Sequence, residues 1–303
     1  MTKIKEYKDL AELFPVDRFM LNEPMSKHTS FQIGGPADAM VLPQTTEEII
    51  KSLKFCEEKR IPVTVMGNGS NLLVKDRGIE GLVIKISSPM KEVVIEDENV
   101  YAKAGISLSC LANQLQEKSL AGFEFASGIP GTLGGALTMN AGAYGGEMKG
   151  IFVECKTIDR NGRIRIRTRT DMEMGYRSSI IQKTGEIIVE ATLKLQHGDA
   201  EDIKSITSDY WKRRLTKQPY NLPSGGSVFK RPEGFFAGKL IEDCGLKGYS
   251  VGGAMVSDLH AGFIVNTGGA TATDVLSLME TIKESVNEKF KVELESELRI
   301  IGR

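Results

Sequence analysis

The sequence predicts an α+β protein, and three observations carry that expectation. Segments with strand periodicity and segments with helix periodicity alternate irregularly, not as repeated βαβ units. A long polar helical pattern begins near residue 200, after a run of strands, and marks a change of organisation. Two glycine-rich stretches interrupt the first half of the chain, each beside an apolar run. At 303 residues the chain is long enough for two domains with a substantial core.

The first strong element is an amphipathic helix from Thr45. Thr45 and Glu48 have the spacing of a capping box, and Ile49, Ile50, Leu53 and Cys56 fall on one face. The apolar run Pro62, Val63, Thr64, Val65, Met66 reads as a strand, and Leu72, Leu73, Val74 as another. Strands are expected at 82–86, 92–95 and 100–104. A helix starting at Ser107 should bury Leu108, Leu111 and Leu115. Further strands fall at 152–158, 163–168 and 187–195, followed by a helix over 200–217 closed by Gln218 and Pro219. The last hundred residues carry helical patterns at 236–243 and 271–290 and short strands at 262–265 and 292–295. A domain boundary is expected at 196/197.

Lysine plus arginine (39) nearly equals aspartate plus glutamate (40), so no global field favours nucleic acid or an anionic membrane. No apolar run is long enough to span a bilayer, and the start MTKIKEYKDLAELF has no apolar signal core; a soluble, cytoplasmic protein is expected. Cys56, Cys110, Cys155 and Cys244 form no C-x-x-C pair and read as buried reduced thiols. His28, His197 and His260 are too scattered for a metal site, and none is expected.

The stretch GNGSNLLV, 67–74, looks like a phosphate loop but matches neither common form. The dinucleotide fingerprint wants a third glycine where Leu72 stands, and a Walker loop would end in Gly-Lys-Ser or Gly-Lys-Thr. A loop of small residues after a strand can instead turn several amides toward one anion; a plain glycine-rich turn is the competing reading. GIPGTLGGALTMNAGAYGGE, 128–147, is the second such segment, with glycines at 128, 131, 134, 135, 142, 145 and 146. A backbone so short of side chains usually lies against something flat or extended. Together the segments imply a large ligand with a diphosphate and a ring system.

These stretches, with HTSFQIGGPAD (28–38), GYRSS (175–179), PSGGSVFKRP (223–232), AGKLIEDCGLKGYSVGGAMVSDLHAGFIVN (237–266) and LESELRIIG (294–302), run in order over almost the whole chain. The set resembles the UDP-N-acetylenolpyruvoylglucosamine reductases, also called UDP-N-acetylmuramate dehydrogenases. The resemblance implies an FAD-binding domain of the vanillyl-alcohol-oxidase/p-cresol-methylhydroxylase type over 1–196, in two lobes split near residue 90. It also implies an α+β substrate-binding domain over 197–303 whose final strand returns toward the flavin. Little sequence separates Tyr176 and Arg177 from the helix bearing Trp211, which fits the shorter subtype without an extra substrate-covering loop. Two triplets depart from the family pattern: Gly253-Ala254-Met255 where Gly-Ala-Gln is common, and His260-Ala261-Gly262 where His-Ala-Asn is common.

The implied reaction is reduction of the enolpyruvyl ether of UDP-N-acetylglucosamine-enolpyruvate to UDP-N-acetylmuramate, in peptidoglycan precursor synthesis. NADPH is the hydride donor, FAD the carrier, and a UDP-sugar the small-molecule partner. A monomer or weak homo-oligomer is expected, with no nucleic acid or membrane partner. By resemblance, FAD contacts are assigned to Gly67, Asn68, Gly69, Ser70 and Asn71, and to Gly128, Ile129, Pro130, Gly131, Gly134, Gly135, Asn140, Ala141 and Gly142. Arg214 and Arg299 serve either the FAD or nucleotide phosphates, or solvated ion pairs.

Charge that develops on the enolpyruvyl group needs donors on its carboxylate and a proton on one face. Arg177 can clamp the carboxylate, Glu297 can hold the enol form, and Ser227 can give the proton, with Tyr176 and Lys230 as substrate contacts. Each has a bland counterpart. Arg177 could end a short helix and serve its dipole, Ser227 could be a turn or cap residue, and Ser224 is a rival donor. Glu295 and Glu297 are rivals for that role, and the motif favours Glu297. The alternatives to the reductase are an FAD-linked oxidase of a small alcohol or hydroxy acid, and a non-enzymatic nucleotide-sugar binder.

Overall fold

The computed structural model of the chain describes residues 7–303. The described residues separate into two compact units that interleave along the chain. One takes in residues up to Leu21, Ala39–Asn68 and Gly81–Arg213; the other takes in Asn22–Asp38, Gly69–Glu80 and Arg214–Arg303. These units follow a different division from the expected cut at 196/197: the later one takes up at Arg214 and also collects two short early segments.

In the first unit a five-stranded sheet runs Ile164–Thr168, Phe152–Ile158, Ile187–Lys194, Asn99–Lys103, Val93–Glu96, antiparallel throughout. The helix Leu108–Glu117 forms where its leucine spacing predicts: Ser107 caps it by accepting the Cys110 N–H, and Leu108, Leu111 and Leu115 are buried. Each such leucine contributes roughly 1.5–3 kcal/mol through burial. The helix Thr46–Lys59 also starts at the predicted cap, with the Thr45 hydroxyl accepting the Glu48 N–H at 3.2 Å. Its box is only half formed, because the Glu48 carboxylate binds the Gln44 N–H at 2.7 Å and Arg18 at 2.7 and 3.0 Å. A salt bridge thus takes the group that would have closed the box.

A second sheet is ordered Phe19–Pro24, Pro36–Val41, Ile79–Lys85, Val63–Met66. Its last two strands are parallel, with Val63 opposite Leu82 and Met66 opposite Lys85. The glycine loop therefore follows the end of a parallel strand, a common place for ligand-binding loops in mixed folds.

The second unit is built on the antiparallel strands Ser224–Ser227, Phe263–Asn266, Ala254–Val256 and Ser250–Val251. The helix Ala272–Phe290 opens with a complete capping box, Thr271 with Asp274, and buries Val275, Leu278, Met279, Ile282 and Val286. The Asp76 carboxylate adds a second cap, accepting the Ala272 and Thr273 amides at 2.7 and 3.0 Å. Those hydrogen bonds hold its pKa below the usual carboxylate value against the opposing effect of burial, which is the largest single influence.

Residues 292–295, expected as a strand, join no sheet. Leu294 and Leu298 are both buried, and a spacing of four keeps them on one side of an extended chain, so the apolar pattern is present and what is missing is a ladder partner. The stretch makes a single bridge, Ser296 with Phe229, and the paired strand comes later, Arg299–Ile301, running parallel to Leu72–Val74. The cysteine expectation also needs correcting. Cys56 and Cys155 are buried, and burial pushes both thiols up to about 12, but Cys110 is exposed and Cys244 half-buried.

Candidate active site

Gly67, which opens the first glycine-rich segment, meets the second segment within the first unit, while residues 69–74 belong to the second unit. A Cβ on Gly67 would lie 2.3 Å from Thr132 Oγ1, so only glycine lets the loop close on the second segment. Thr132 caps the short helix Leu133–Thr138 by accepting the Gly135 N–H. Gly134 packs against Ala104, where a Cβ would come within 2.9 Å. Gly69 and Gly131 have φ of 66° and 142°, the left-handed side that favours glycine. Among the described residues, the main-chain amides of Asn68, Gly69, Asn71, Gly131 and Thr132 donate no hydrogen bond within the protein. Main-chain donors without acceptors, on a segment cleared of side chains, suit an anionic group such as a phosphate, and each segment offers such donors.

Several residues assigned to the cofactor have identifiable structural duties. Asn140, buried at φ 42°, gives Nδ2 to Gly175 O and to Glu147 Oε2, both at 3.0 Å, and accepts the Lys149 N–H at 2.9 Å. Asn71 spends its Nδ2 on Glu297 O at 3.1 Å and its own carbonyl on the Arg299 N–H at 3.0 Å. Ser70 O accepts from the Ser30 hydroxyl at 3.3 Å. Ile129 packs half-buried against the first unit's core, and the Ala141 N–H bonds to Ala136 O. Pro130 is exposed and Gly128 buried.

Arg177 does not end a helix. It sits in a two-residue turn closed by the Gly175 N–H to Ser178 O (3.1 Å) and the Ser178 N–H to Gly175 O (3.2 Å). The following helix, Ile180–Thr184, begins after Ser179, so Arg177 lies beyond an N-terminus, where a dipole role would be unfavourable for a cation. Its φ of 52° is left-handed, its guanidinium carbon lies 5.1 Å from the centre of the exposed Tyr176 ring, and Nη2 donates to Gly142 O at 3.4 Å. A strained backbone at a residue proposed for catalysis is a recurring feature of active sites.

In the second unit Ser227 ends the strand Ser224–Ser227. Ser224 is opposite Val265 and Ser227 opposite Phe263, so three steps here match two on the partner. That extra residue is a β-bulge, and it turns Ser227 to the same face as Ser224 when simple alternation would separate them. Gly226 takes φ 82° in the bulge, and a Cβ on Gly225 would come within 2.6 Å of Leu298 and 2.7 Å of Phe31. Glu297 donates its N–H to Val228 O at 2.8 Å, which ties its segment beside Ser227. Glu295 is exposed and paired with Lys230, whereas Glu297 is half-buried; the two glutamates are thus distinguished by environment. Arg299 is exposed and Arg214 buried. Gly262, one of the two departures, is explained locally. Its N–H donates to His260 Nδ1 at 3.0 Å, and a Cβ would lie 2.9 Å from that ring. Burial lowers the His260 pKa, consistent with an acceptor nitrogen that stays unprotonated.

Sequence reasoning had no signal for the bulge, for the use of Asp76 as a cap, or for Asn140 as a bracket of the Arg177 turn. All three depend on partners far away in sequence. Among the described residues no three His, Cys, Asp or Glu side chains gather as a metal would need, and no helix is long and apolar enough to cross a membrane.

An FAD-binding domain model matches residues 37–167, which contain both glycine segments, and this defines the chain as a flavoprotein oxidoreductase. The C-terminal domain model of UDP-N-acetylenolpyruvoylglucosamine reductase matches residues 218–301. A relative of that name from Alkaliphilus oremlandii is 55% identical over 100% of this chain and 99% of its own length. Another from Caldanaerobacter subterraneus subsp. tengcongensis is 50% identical, covering 97% of each. The solved structure of the reductase from Thermus caldophilus superposes with a TM-score of 0.80 at 33% identity, over 94% of this chain and 98% of that one. An alkyldihydroxyacetonephosphate synthase shares the fold alone, with a TM-score of 0.50 at 18% identity over 64% of this chain and 40% of its own. The chain belongs to the UDP-N-acetylenolpyruvoylglucosamine reductase family. It is an FAD-dependent enzyme of the expected α+β class, and the family assignment selects the reductase over the FAD-linked oxidase.

Proposed function

We propose that this chain reduces the enolpyruvyl group of a UDP-N-acetylglucosamine ether to the lactyl ether of UDP-N-acetylmuramate, with the division of labour described below. The observation that carries the residue assignments is the closure of Gly67 on Thr132 beside amides that have no acceptor, within the span matched by the FAD-binding domain. The loop 67–71 would hold the diphosphate and the segment 128–142 the remainder of the cofactor. When bound, FAD supplies the hydride that it has received from NADPH.

The chain's own residues then serve the substrate. Addition of hydride to the vinyl carbon leaves negative charge on the neighbouring carbon, delocalised into the carboxylate. The Arg177 guanidinium offers a two-pronged clamp for that carboxylate, and the Glu297 carboxyl holds or polarises the enol form. The Ser227 hydroxyl delivers a proton to the neighbouring carbon, completing the addition of one hydride and one proton across the double bond. Tyr176 and Lys230 contact the substrate, while Arg214 and Arg299 serve phosphate groups. Residues 1–196 would act as the FAD-binding domain and 197–303 as the substrate domain. A cytoplasmic monomer or weak homo-oligomer with no nucleic-acid partner completes the reading.

The visible spectrum tests it. Purified protein should show bound flavin that bleaches on anaerobic addition of NADPH and recovers on addition of the enolpyruvyl UDP-sugar, with UDP-N-acetylmuramate as product. Protein that binds the UDP-sugar but carries no flavin would overturn the proposal.

A further inference from the structure

Gln182 is exposed and contributes nothing to the core, yet its side-chain amide nitrogen is fully engaged. Nε2 lies 3.0 Å from Thr138 O and 3.1 Å from Arg177 O, with Met139 Sδ at 3.2 Å. An amide nitrogen carries two hydrogens, so the two carbonyls take both. One belongs to the end of the helix in the second glycine segment, the other to the residue proposed as carboxylate clamp. The neighbouring Ser179 hydroxyl bonds to the same Thr138 O at 2.7 Å, and Asn140 takes Gly175 O on the other side of the turn. The turn is therefore held through both Gly175 and Arg177.

That bracing answers a cost. A non-glycine residue in the left-handed region is disfavoured, so Arg177 at φ 52° needs its surroundings to hold it there. Asn140 is buried with its amide committed, and replacing it endangers the fold. Gln182 is on the surface, so what it holds is orientation.

We propose that Gln182 is a positioning residue for Arg177: by bridging the Arg177 and Thr138 carbonyls it fixes the backbone turn that aims the guanidinium at the substrate carboxylate. The inference rests on the reading of Arg177 as that clamp. If the bridge is lost, the peptide after Arg177 is held only by the Ser178 N–H to Gly175 O bond, and the guanidinium is less firmly aimed. A displacement of about 1 Å in such a group is worth up to ~10²-fold in rate.

The test uses the holoenzyme. Gln182→Ala and Gln182→Glu, which keeps the size but donates nothing, should retain wild-type flavin content, melting temperature and rate of flavin reduction by NADPH. Both should weaken binding of UDP-N-acetylmuramate, measured by calorimetry, and slow flavin reoxidation by the substrate, by about 10- to 100-fold. Gln182→Lys keeps donors at similar reach and should retain most of both. In an Arg177→Ala background, Gln182→Ala should add no further loss, as expected for residues acting through one group. Wild-type binding and reoxidation in Gln182→Ala and Gln182→Glu, or a defect that adds fully to that of Arg177→Ala, would overturn the positioning role while leaving the clamp intact. An Arg177→Ala enzyme with undiminished product binding and reoxidation would remove the clamp and this inference with it.

Discussion

Ser227 and Ser224 lie three positions apart on one strand, and the bulge between them presents both hydroxyls to one face. The choice of proton donor thus rests on more than orientation, and it is open to direct test. A proton donor to the substrate acts only when the substrate is reduced. Ser227→Ala should therefore leave FAD binding and flavin reduction nearly intact while slowing reoxidation by the enolpyruvyl substrate by roughly 10²- to 10⁴-fold. Ser224→Ala should be mild, and Ser227→Cys should recover part of the rate because a thiol also donates. Stopped-flow absorbance separates the two half-reactions; a wild-type reoxidation rate in Ser227→Ala, or a defect that follows Ser224, would reassign the donor.

At the scale of elements, the glycine segments and the five-stranded sheet make different predictions. Gly69→Val and Gly131→Val force a branched side chain into φ of 66° and 142°, and each should yield protein depleted of flavin. Flavin absorbance per polypeptide reads the outcome, and fully yellow variants would show that these loops do not hold FAD. In the sheet, Glu186 is buried, accepts from Thr157 at 2.8 Å and forms a two-pronged pair with Arg167, whose Nε lies at 3.0 Å. Arg167 holds its pKa below the usual glutamate value, against burial. Because the folded-state pKa is depressed, the stabilisation is present above the unfolded value of about 4.3 and is lost as pH falls through the folded one. Glu186→Gln should cost about 2–3 kcal/mol at pH 7, somewhat under the ~3–5 typical of a fully buried pair because Arg167 is partly exposed. The gap in urea midpoint between variant and wild type should shrink as the pH is lowered below about 4.

Legibility also divides at this scale. The helices Leu108–Glu117 and Ala272–Phe290 were readable because their caps and apolar spacing are local. Residues 292–295 were not, since whether an extended apolar segment joins a ladder depends on its backbone partner, here the 228–230 segment far away in sequence. Arg177 was identified as a site residue by resemblance, but its turn and its brace depend on Asn140 and Gln182, whose duties no local pattern announces.

For the whole molecule, no dinucleotide fingerprint accompanies the flavin segments, and the family resemblance implies that NADPH and the UDP-sugar use one cleft in turn. Steady-state kinetics should give parallel double-reciprocal lines, with inhibition by excess substrate. Intersecting lines together with a ternary complex seen in binding experiments would exclude that scheme.

The parallel pairing of Arg299–Ile301 with Leu72–Val74 bears on how the protein is made. The Lys75 N–H reaches Ile301 O at 2.9 Å, and Asn71 O takes the Arg299 N–H. The stretch directly after the GNGSN loop is thus completed by residues that leave the ribosome more than two hundred positions later. At ~5–20 residues per second, the loop waits for tens of seconds in the nascent chain without its final partner strand. Helices and hairpins of the first unit have no such wait. Chains stopped at residue 298 should accumulate with the first unit resistant to protease but the 67–74 stretch cleavable and no flavin retained. Chains extended through residue 303 should protect that stretch and turn yellow together.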